Sequence, residues 1–319
     1  MTDSERLQWF TEAKLGVFIH WGLYSLLAGE WEGKIMRGNG YAEQINSQMK
    51  IPNRDYARTA ESFNPVSFSA EEWVRMIKEA GASYLVFTTK HQDGFSMFST
   101  KHSDYNIVDS TPFGKDPLLS LSEACRKYGV RLGLYYSHAR DHHEPGANWN
   151  THGNSWDFPA QTEKDFEHYF HSKVIPQVSE LLAGYGAVSL MWFDVPYQIP
   201  ERLSRELRKH VLDLQPNCLI NSRIGNNCGD YLSMGDNVVP EKVILEPWES
   251  CVTMNDTWGY SKHDHHWKPA ETIVRIFKEV TTKGGNLLLN VGPDGGGQFP
   301  KESIALLKNL APHSQRRDA

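Results

Sequence analysis

The chain has 319 residues, of which 39% are hydrophobic and 23% are charged, a composition that supports a large buried core and argues against disorder. Its formal net charge of −6 offers no overall attraction for phosphate backbones, so we expect no nucleic acid partner. No stretch approaches the roughly 18 apolar residues of a membrane span, and the N-terminus lacks a basic start before an apolar run. We therefore expect no membrane partner and a cytoplasmic location.

Short apolar segments alternate with amphipathic segments along most of the chain. The first predicted strand covers residues 16–21, and a helix follows over residues 69–81, where Ser69 and Glu72 have the spacing of a capping box. Further helices are predicted over residues 116–129, 161–183, 200–214 and 269–283 and after Pro300. Further strands are predicted over residues 83–89, 131–136, 187–193, 218–221, 243–246 and 286–290.

This alternation predicts an α/β fold. Strands that are apolar throughout and separated by amphipathic helices form parallel sheets covered by helices. About seven such units favour closure into a (β/α)8-like TIM barrel, irregular in one or two units, over an open doubly wound sheet. The motifs GxGxxG and GxxxxGK[ST] are both missing after the first strand, which also disfavours the open sheet. Because the chain has no repeat or linker, we expect one catalytic domain over residues 1–319.

Polar and aromatic side chains follow the predicted strands. In a barrel the C-terminal ends of the strands meet at one face, which carries the active site. The residues at these ends combine imidazoles, carboxylates, a guanidinium and aromatic rings, a set that suits a ligand with many hydroxyl groups. They include His20, His91, Tyr136, Trp192, Asp194, Arg223 and Glu249.

Asp194 directly follows a run of apolar residues and is the sharpest candidate for chemistry. It could project into the barrel mouth, or it could cap the next helix. A glycosidase needs a second carboxyl group, about 5–5.5 Å away for a retaining mechanism and about 6.5–9.5 Å for an inverting one. The downstream candidates are Asp236, Glu246 and Glu249.

Two histidine-rich stretches, residues 138–143 and 263–266, raise the alternative of a metal site. Neither contains a helical HExxH motif or a cysteine-histidine ligand set, so we expect no metal. His20 and His91 end buried strands, where a histidine either serves the core or contacts a ligand. The four cysteines have no CxxC spacing, which favours reduced thiols over a disulfide framework.

Seven ordered motifs resemble glycoside hydrolase family 29, the α-L-fucosidases, over nearly the whole chain. They are Gly-Val-Phe-Ile-His-Trp-Gly-Leu-Tyr-Ser from Gly16, Thr-Thr-Lys-His-Gln-Asp-Gly-Phe from Thr88, Leu-Tyr-Tyr-Ser from Leu134, Met-Trp-Phe-Asp from Met191, Asn-Ser-Arg from Asn221, Pro-Trp-Glu-Ser-Cys from Pro247 with Trp-Gly-Tyr from Trp258, and Gly-Gly-Asn-Leu-Leu-Leu-Asn-Val-Gly-Pro from Gly284.

The resemblance implies a retaining hydrolysis of terminal α-L-fucosides that needs no metal and no cofactor, with Asp194 as nucleophile. It implies that fucose hydroxyls are held by His20, His91, Tyr136 and Arg223, with Trp192 beside the nucleophile and Trp258 or Tyr260 near the apolar side of the sugar. Glu43 matches a substrate-binding Glu, although Gln44 stands where the family usually has Trp. Gln92 stands where the family often has a second His.

The resemblance transfers the acid/base less directly, because the family does not keep this residue in one motif. Compact bacterial members carry an Asp in the loop that contains Asp236, often followed by Asn, as Asn237 follows here. We therefore expect Asp236 to be the acid/base. Glu249 is the alternative, since burial beside Trp248 could raise its pKa, and Glu246 is third.

The chain ends soon after the last predicted barrel helix, with no length for the C-terminal β-sandwich of many relatives. This resembles a compact bacterial subgroup, some of whose members act on α-1,6-linked fucose on N-acetylglucosamine. We expect a fucosylated glycan or oligosaccharide as substrate and a homo-oligomeric assembly. The alternatives are a fucose-binding barrel without catalysis and a metal-dependent barrel hydrolase.

Overall fold

The computed structural model describes residues 3–36, 40–148, 154–158 and 164–315. Its strands are β1 (Leu15–Ile19), β2 (Glu30–Trp31), β3 (Lys34–Ile35), β4 (Tyr84–Lys90), β5 (Arg131–Ser137), β6 (Leu190–Asp194), β7 (Leu219–Ile220), β8 (Leu232–Ser233), β9 (Trp248–Thr253) and β10 (Asn286–Val291). The short strands β2 and β3 form an antiparallel pair, and the other eight form one sheet.

The eight-stranded sheet is parallel and has the order β7-β6-β5-β4-β1-β10-β9-β8. A single parallel bridge between Asn221, after β7, and Tyr231, before β8, joins its two ends. The sheet therefore curls into the (β/α)8-like arrangement that the sequence predicts.

Helices lie between most of these strands. They are α1 (Asp3–Ala13), α2 (Leu23–Leu27), α3 (Ile45–Gln48), α4 (Asn53–Ala57), α5 (Ala70–Glu79), α6 (Pro117–Tyr128), α7 (Phe166–Tyr169), α8 (Ile175–Gly184), α9 (Glu201–Leu214), α10 (Ala270–Thr282) and α11 (Lys301–Ser314). A π-helical segment, Phe170–Val174, connects α7 to α8. Among the described helices, none has both the length and the apolar character needed to cross a bilayer.

The predicted helix ends at α5 and α6 are confirmed by their caps. Ser69 Oγ accepts a hydrogen bond from the backbone N–H of Glu72 at 3.3 Å and so begins α5. Asp116 accepts from the N–H groups of Leu118 and Leu119 at the start of α6. Gly129 ends α6 with φ +64°, a left-handed conformation that glycine adopts without strain.

Two apolar layers hold the barrel together, and the alternation of side chains along each strand assigns residues to one or the other. Val17 and Ile19 on β1 face the surrounding helices, whereas Phe18 faces the barrel interior. Phe10 of α1 belongs to the interior cluster, where it lies 4.2 Å from the ring of Tyr231. Helix α1 was not predicted from the sequence, although its Phe10 is fully buried in the barrel interior.

One predicted strand is wrong. Residues 243–246 lie in a loop where Val243 is 65% and Leu245 is 94% exposed, and the strand is β9, which begins at Trp248. The apolar run Val-Ile-Leu imitates a strand, while the true strand contains Glu249, Ser250 and Thr253 and so reads as polar. Those polar side chains are tolerated because they find hydrogen-bond partners inside the protein.

Candidate active site

A cavity of about 150 Å³ opens at the C-terminal ends of the strands, the face of a barrel where active sites lie. Side chains from β1, β5, β6 and β9 and from the loops that follow the strands form its wall. The lining residues are Phe18, His20, Tyr41, Glu43, Gln44, His91, Gln92, Tyr135, Arg140, Trp192, Asp194, Val195, Arg223, Asp236, Cys251 and Trp258.

Asp194 is the last residue of β6, and its carboxylate is held at both oxygens. Tyr135 Oη donates to Oδ2 at 2.9 Å, and Arg223 Nη1 donates to Oδ1 at 3.0 Å. The carboxylate is thus fixed in the cavity wall rather than turned toward α9 as a cap. Pro200, not Asp194, precedes the first residue of α9.

Arg223 connects two carboxylates. Its Nη2 donates to Asp236 Oδ1 at 2.8 Å and to the backbone oxygen of Met234 at 2.7 Å, while the guanidinium lies 4.7 Å from the ring of Trp192. Burial opposes the charge on Arg223, but the charge of Asp194, with that of Asp236, outweighs it and raises the pKa of Arg223. One guanidinium, hydrogen-bonded to both carboxylates, therefore links Asp194 to Asp236.

Glu249 lies beneath the cavity and does not line it. Its side chain is fully buried near the start of β9, where its neighbour on β10 is Asn286. It accepts hydrogen bonds from Trp192 Nε1 at 2.5 Å, Tyr84 Oη at 2.9 Å and Ser233 Oγ at 3.2 Å. Burial raises its pKa, as the sequence analysis expected, yet the carboxyl supports Trp192 from below. Glu246, the third candidate, lies in the exposed loop before β9.

Two buried histidines form the opposite wall. His20 Nδ1 lies 2.7 Å from Asn290 Oδ1, and burial lowers the pKa of His20 to about 4. His91 stacks on Tyr135 with the rings 5.2 Å apart, and burial lowers its pKa well below the ordinary value. Both imidazoles are therefore uncharged at neutral pH, and each can donate and accept hydrogen bonds.

Glu43 and Trp258 lie next to each other in the remaining wall. Glu43 Oε2 accepts from the N–H of Gly259 at 2.8 Å, and burial raises the pKa of Glu43 to about 8. The ring of Trp258 lies 5.2 Å from that of His20 and 6.2 Å from that of Tyr41. Glu43 thus faces the cavity even though Gln44 follows it.

Two predicted residues lie outside the cavity. Tyr136 points away from the barrel interior, where its hydroxyl donates to Gln177 Oε1 at 2.7 Å, because neighbouring residues of a strand face opposite sides. Tyr135 takes the place expected for Tyr136. Tyr260 is not among the lining residues; burial raises its pKa, and the charge of Asp294 acts in the same direction.

Several lining residues were not predicted from the sequence, chiefly Tyr135, Tyr41 and Arg140. The motif Leu-Tyr-Tyr-Ser offers two adjacent tyrosines, and only the direction of β5 in the sheet decides which one faces inward. Tyr41 and Arg140 lie in loops without a periodic signal.

No histidine of the two histidine-rich stretches, residues 138–143 and 263–266, lines this cavity. Among the described residues, Asp256, Asp264 and His266 lie close enough to share an ion, but they are at the surface outside the cavity. His138 and His142 are buried, and burial lowers their pKa values to about 4 and about 3.

Comparison with known proteins identifies relatives along the whole chain. The model of the α-L-fucosidase family matches residues 2–317. Tissue α-L-fucosidase of Mus musculus is 30% identical over 92% of this chain and 67% of its own length, and that of Homo sapiens is 31% identical over 92% and 65%. The chain thus spans about two thirds of the length of these relatives.

Solved structures cover the chain equally well. The α-L-fucosidase AlfC from Lactobacillus casei, in complex with the product α-L-fucose, is 42% identical with a TM-score of 0.91 over 97% of this chain and 98% of AlfC. A variant of AlfC in complex with Fuca(1,6)GlcNAc has a TM-score of 0.89 at 42% identity, over 96% of this chain and 98% of that chain. An α-L-fucosidase from Vibrio sp. strain EJY3 is 34% identical with a TM-score of 0.92, over 98% of this chain and 55% of that one.

Proposed function

The chain belongs to the α-L-fucosidase family of glycoside hydrolases, and from that premise we propose that it is a retaining exo-α-L-fucosidase acting on terminal α-L-fucose of glycans or oligosaccharides. The observation that carries the proposal is the bridge from Arg223 to Asp194 and Asp236. Two carboxyl groups on one guanidinium can face the same sugar from two sides, as a double displacement requires.

In the first step, an Asp194 oxygen bonds to the anomeric carbon of fucose while the bond from that carbon to the glycosidic oxygen breaks. Asp236 gives its proton to the departing oxygen. Because the Asp236 side chain is 39% exposed, it can take up that proton from solvent before the reaction. Arg223 donates to its Oδ1, so Oδ2 can carry the proton.

In the second step, Asp236, now a carboxylate, removes a proton from water. The water oxygen bonds to the anomeric carbon, and the bond to Asp194 breaks. Fucose leaves with its anomeric configuration retained, and Asp236 is protonated again. Tyr135 and Arg223 fix the nucleophile in both steps through their hydrogen bonds to its two oxygens.

The other cavity residues would bind the sugar. The uncharged imidazoles of His20 and His91 and the carboxyl of Glu43 supply hydrogen bonds to hydroxyl groups, and Trp258 supplies an apolar face. Since AlfC has been solved with Fuca(1,6)GlcNAc, we extend the proposal to α-1,6-linked fucose on N-acetylglucosamine.

The decisive experiment is hydrolysis of 4-nitrophenyl α-L-fucoside with the product anomer followed by NMR. The proposal predicts α-L-fucose as the first product and loss of activity of roughly 10³-fold or more in Asp194→Ala. Release of β-L-fucose would mean inversion and would remove Asp194 as a nucleophile. No hydrolysis by the wild-type chain would favour a fucose-binding barrel without catalysis. A panel of fucosylated disaccharides then tests the linkage.

The acid/base assignment is tested by comparing Asp236→Ala with Glu249→Ala. We expect Asp236→Ala to lose roughly 10²- to 10⁴-fold in rate on disaccharides but far less on the activated aryl fucoside. Azide should restore the aryl reaction by displacing Asp194 from the covalent intermediate, and the product should be α-fucosyl azide. The same pattern in Glu249→Ala, and not in Asp236→Ala, would reverse the assignment. The expected cytoplasmic location, homo-oligomer and single domain stay predictions, to be checked by fractionation, light scattering and limited proteolysis.

A further inference from the structure

The cavity wall contains a second guanidinium, that of Arg140, besides that of Arg223. We propose that Arg140, held by Gln92, determines specificity by donating hydrogen bonds to one hydroxyl oxygen of the fucose ring. This inference rests on the proposed function. It adds a sugar contact that neither the sequence motifs nor the two-carboxylate geometry provides.

Arg140 and Gln92 come from the loops that follow neighbouring strands. Gln92 lies just after β4 and Arg140 just after β5, and both line the cavity although they are only 5% and 8% exposed. Arg140 Nη1 donates to Gln92 Oε1 at 2.8 Å. A guanidinium has five N–H donors in a planar fork, so it can keep this hydrogen bond while donating to a ligand.

The loop that carries Arg140 is fixed on both sides. Ser137 Oγ donates to the backbone oxygen of Arg140 at 2.8 Å, and the N–H of His142 donates to the backbone oxygen of Gln92 at 2.7 Å. The next residue, Asp141, is fully buried between Lys90 and Lys173, with N–O distances of 3.1 and 3.0 Å. Arg140 is therefore held in position before substrate binds, which lowers the entropy cost of the contact.

The charges in the cavity give Arg140 a role different from that of Arg223. Among the described lining residues, Arg140 and Arg223 are the two that are lysine or arginine. Arg223 forms ion pairs with Asp194 and Asp236. Burial lowers the pKa of Arg140, while the charge of Asp194 acts in the opposite direction. A neutral hydroxyl oxygen fits this position, because an anionic group would meet Asp194 and Asp236.

The hydrogen bond between Arg140 and Gln92 uses the amide oxygen of Gln92 as the acceptor and one N–H of Arg140 as the donor. The guanidinium therefore brings charged N–H donors to the cavity wall.

The test measures kcat/KM for 4-nitrophenyl α-L-fucoside and its 2-, 3- and 4-deoxy analogues in wild type and in Arg140→Met. Methionine keeps much of the apolar stem and removes the donors. In wild type, loss of the contacted hydroxyl should lower kcat/KM roughly 10- to 100-fold. In Arg140→Met, loss of that same hydroxyl should lower kcat/KM by no more than about threefold, while the losses for the other two analogues stay as in wild type. Each analogue is compared between the two enzymes, so its intrinsic reactivity cancels.

Two further variants keep the result interpretable. Gln92→Met should partly reduce the loss of kcat/KM caused by removing the contacted hydroxyl, since it removes the hydrogen bond that holds Arg140 but not the charge of Arg140. This variant replaces Arg140→Met in the test if Arg140→Met does not fold. Lys127→Met, at an exposed ion pair with Glu71, should change none of the three losses. Three undiminished losses in folded Arg140→Met and Gln92→Met would overturn the inference while leaving fucosidase activity intact. A wild-type chain inactive on every fucoside would instead defeat the proposed function.

Discussion

The two sides of the barrel are built differently. On one side β10, β1, β4, β5 and β6 each have five to seven residues, and their side chains form continuous apolar layers. On the other side β7 and β8 have two residues each, and a 3-10 turn, Ser222–Ile224, and loops replace helices in the described residues 221–247. We call these the regular side and the irregular side; β9 closes the irregular side against β10.

The active site draws on both sides for different purposes. The regular side supplies His20, His91, Tyr135 and the proposed nucleophile Asp194, all on or directly after strands. The irregular side supplies Arg223 and Asp236 from a turn and a loop. Strand ends hold side chains precisely, while loops tolerate changes of sequence and length. This difference explains why a motif points directly to Asp194 as the proposed nucleophile and less directly to Asp236 as the proposed acid/base.

Ionic and polar contacts hold the irregular side together. Asp230, just before β8, accepts from Arg6 of α1 and from Arg208 of α9, and its Oδ2 also accepts from the N–H of Ile220 on β7. Asn221 accepts from the N–H of Phe193 and donates to its carbonyl oxygen, extending the edge of β6. On this side, side-chain hydrogen bonds and ion pairs join the segments that backbone hydrogen bonds between strands join on the regular side.

The largest expected effect is on stability, from Asp230→Ala. This change removes the Asp230 carboxylate from the buried Arg6, and we expect the free energy of unfolding to fall by about 3–5 kcal/mol. Urea denaturation measures the change. The matched control is Glu201→Ala, which breaks the exposed pair with Arg205 and should not shift the urea midpoint measurably. Equal effects of the two variants would contradict a side held together by buried ionic contacts.

The second prediction separates two adjacent tyrosines of the regular side. Tyr135→Phe removes the hydrogen bond to Asp194 and should lower kcat roughly 10- to 100-fold. Tyr136→Phe removes only the bond to Gln177 and should lower the free energy of unfolding by about 1–2 kcal/mol, with kcat/KM changed less than about twofold. Steady-state kinetics and urea denaturation of both variants decide. A larger loss of kcat in Tyr136→Phe would restore the original prediction of Tyr136.

The third prediction concerns His138, whose Nε2 lies 3.3 Å from the Ile224 oxygen and so connects the two sides. Burial lowers its pKa to about 4, below the ordinary value of 6.5. Between these pH values the unfolded chain binds more protons, so His138 makes stability fall as the pH decreases from 6.5 toward 4 and contributes no slope above 6.5.

Replacement by Asn should therefore flatten the acid side of the stability curve, by at most about 1.4 kcal/mol per pH unit. Urea denaturation at pH 7, 6 and 5 measures this. The difference between the wild type and His138→Asn is the quantity to follow, because Glu43, whose pKa is raised to about 8, acts in both proteins and favours the folded state as the pH falls from 8. Parallel stability curves for the two proteins below pH 6.5 would show that folding does not lower the pKa of His138.

The smallest effect is expected in the loop once predicted to be a strand. Leu245→Ala changes a side chain that is 94% exposed and should alter the free energy of unfolding by less than about 0.5 kcal/mol. Leu289→Ala, the same change in the buried centre of β10, should cost about 2–5 kcal/mol. A loss above about 2 kcal/mol for Leu245→Ala would show that residues 243–246 are packed in the core.

The sequence by itself determined the long strands and helices of the regular side and the position of Asp194 at the end of one of these strands. Hydrophobic periodicity and caps are local signals, so the helix beginning after Ser69, the helix between Asp116 and Gly129, and the strand ending at Asp194 could all be read from neighbouring residues. The family motifs that contain His20 and His91 lie on these same elements, whereas the motif that contains Arg223 lies in the turn after β7.

Only the tertiary structure decided what depends on contacts between distant segments. The inward direction of Tyr135 follows from the orientation of β5 in the sheet, and the polar residues of β9 form a strand because Trp192 and Tyr84 donate to Glu249. The pairing of Arg140 with Gln92 and the bridge through Arg223 join loops up to 48 residues apart. Hydrogen bonds between distant residues leave no periodic trace in the sequence, and burial, which shifts the pKa values, exists only once the chain has folded.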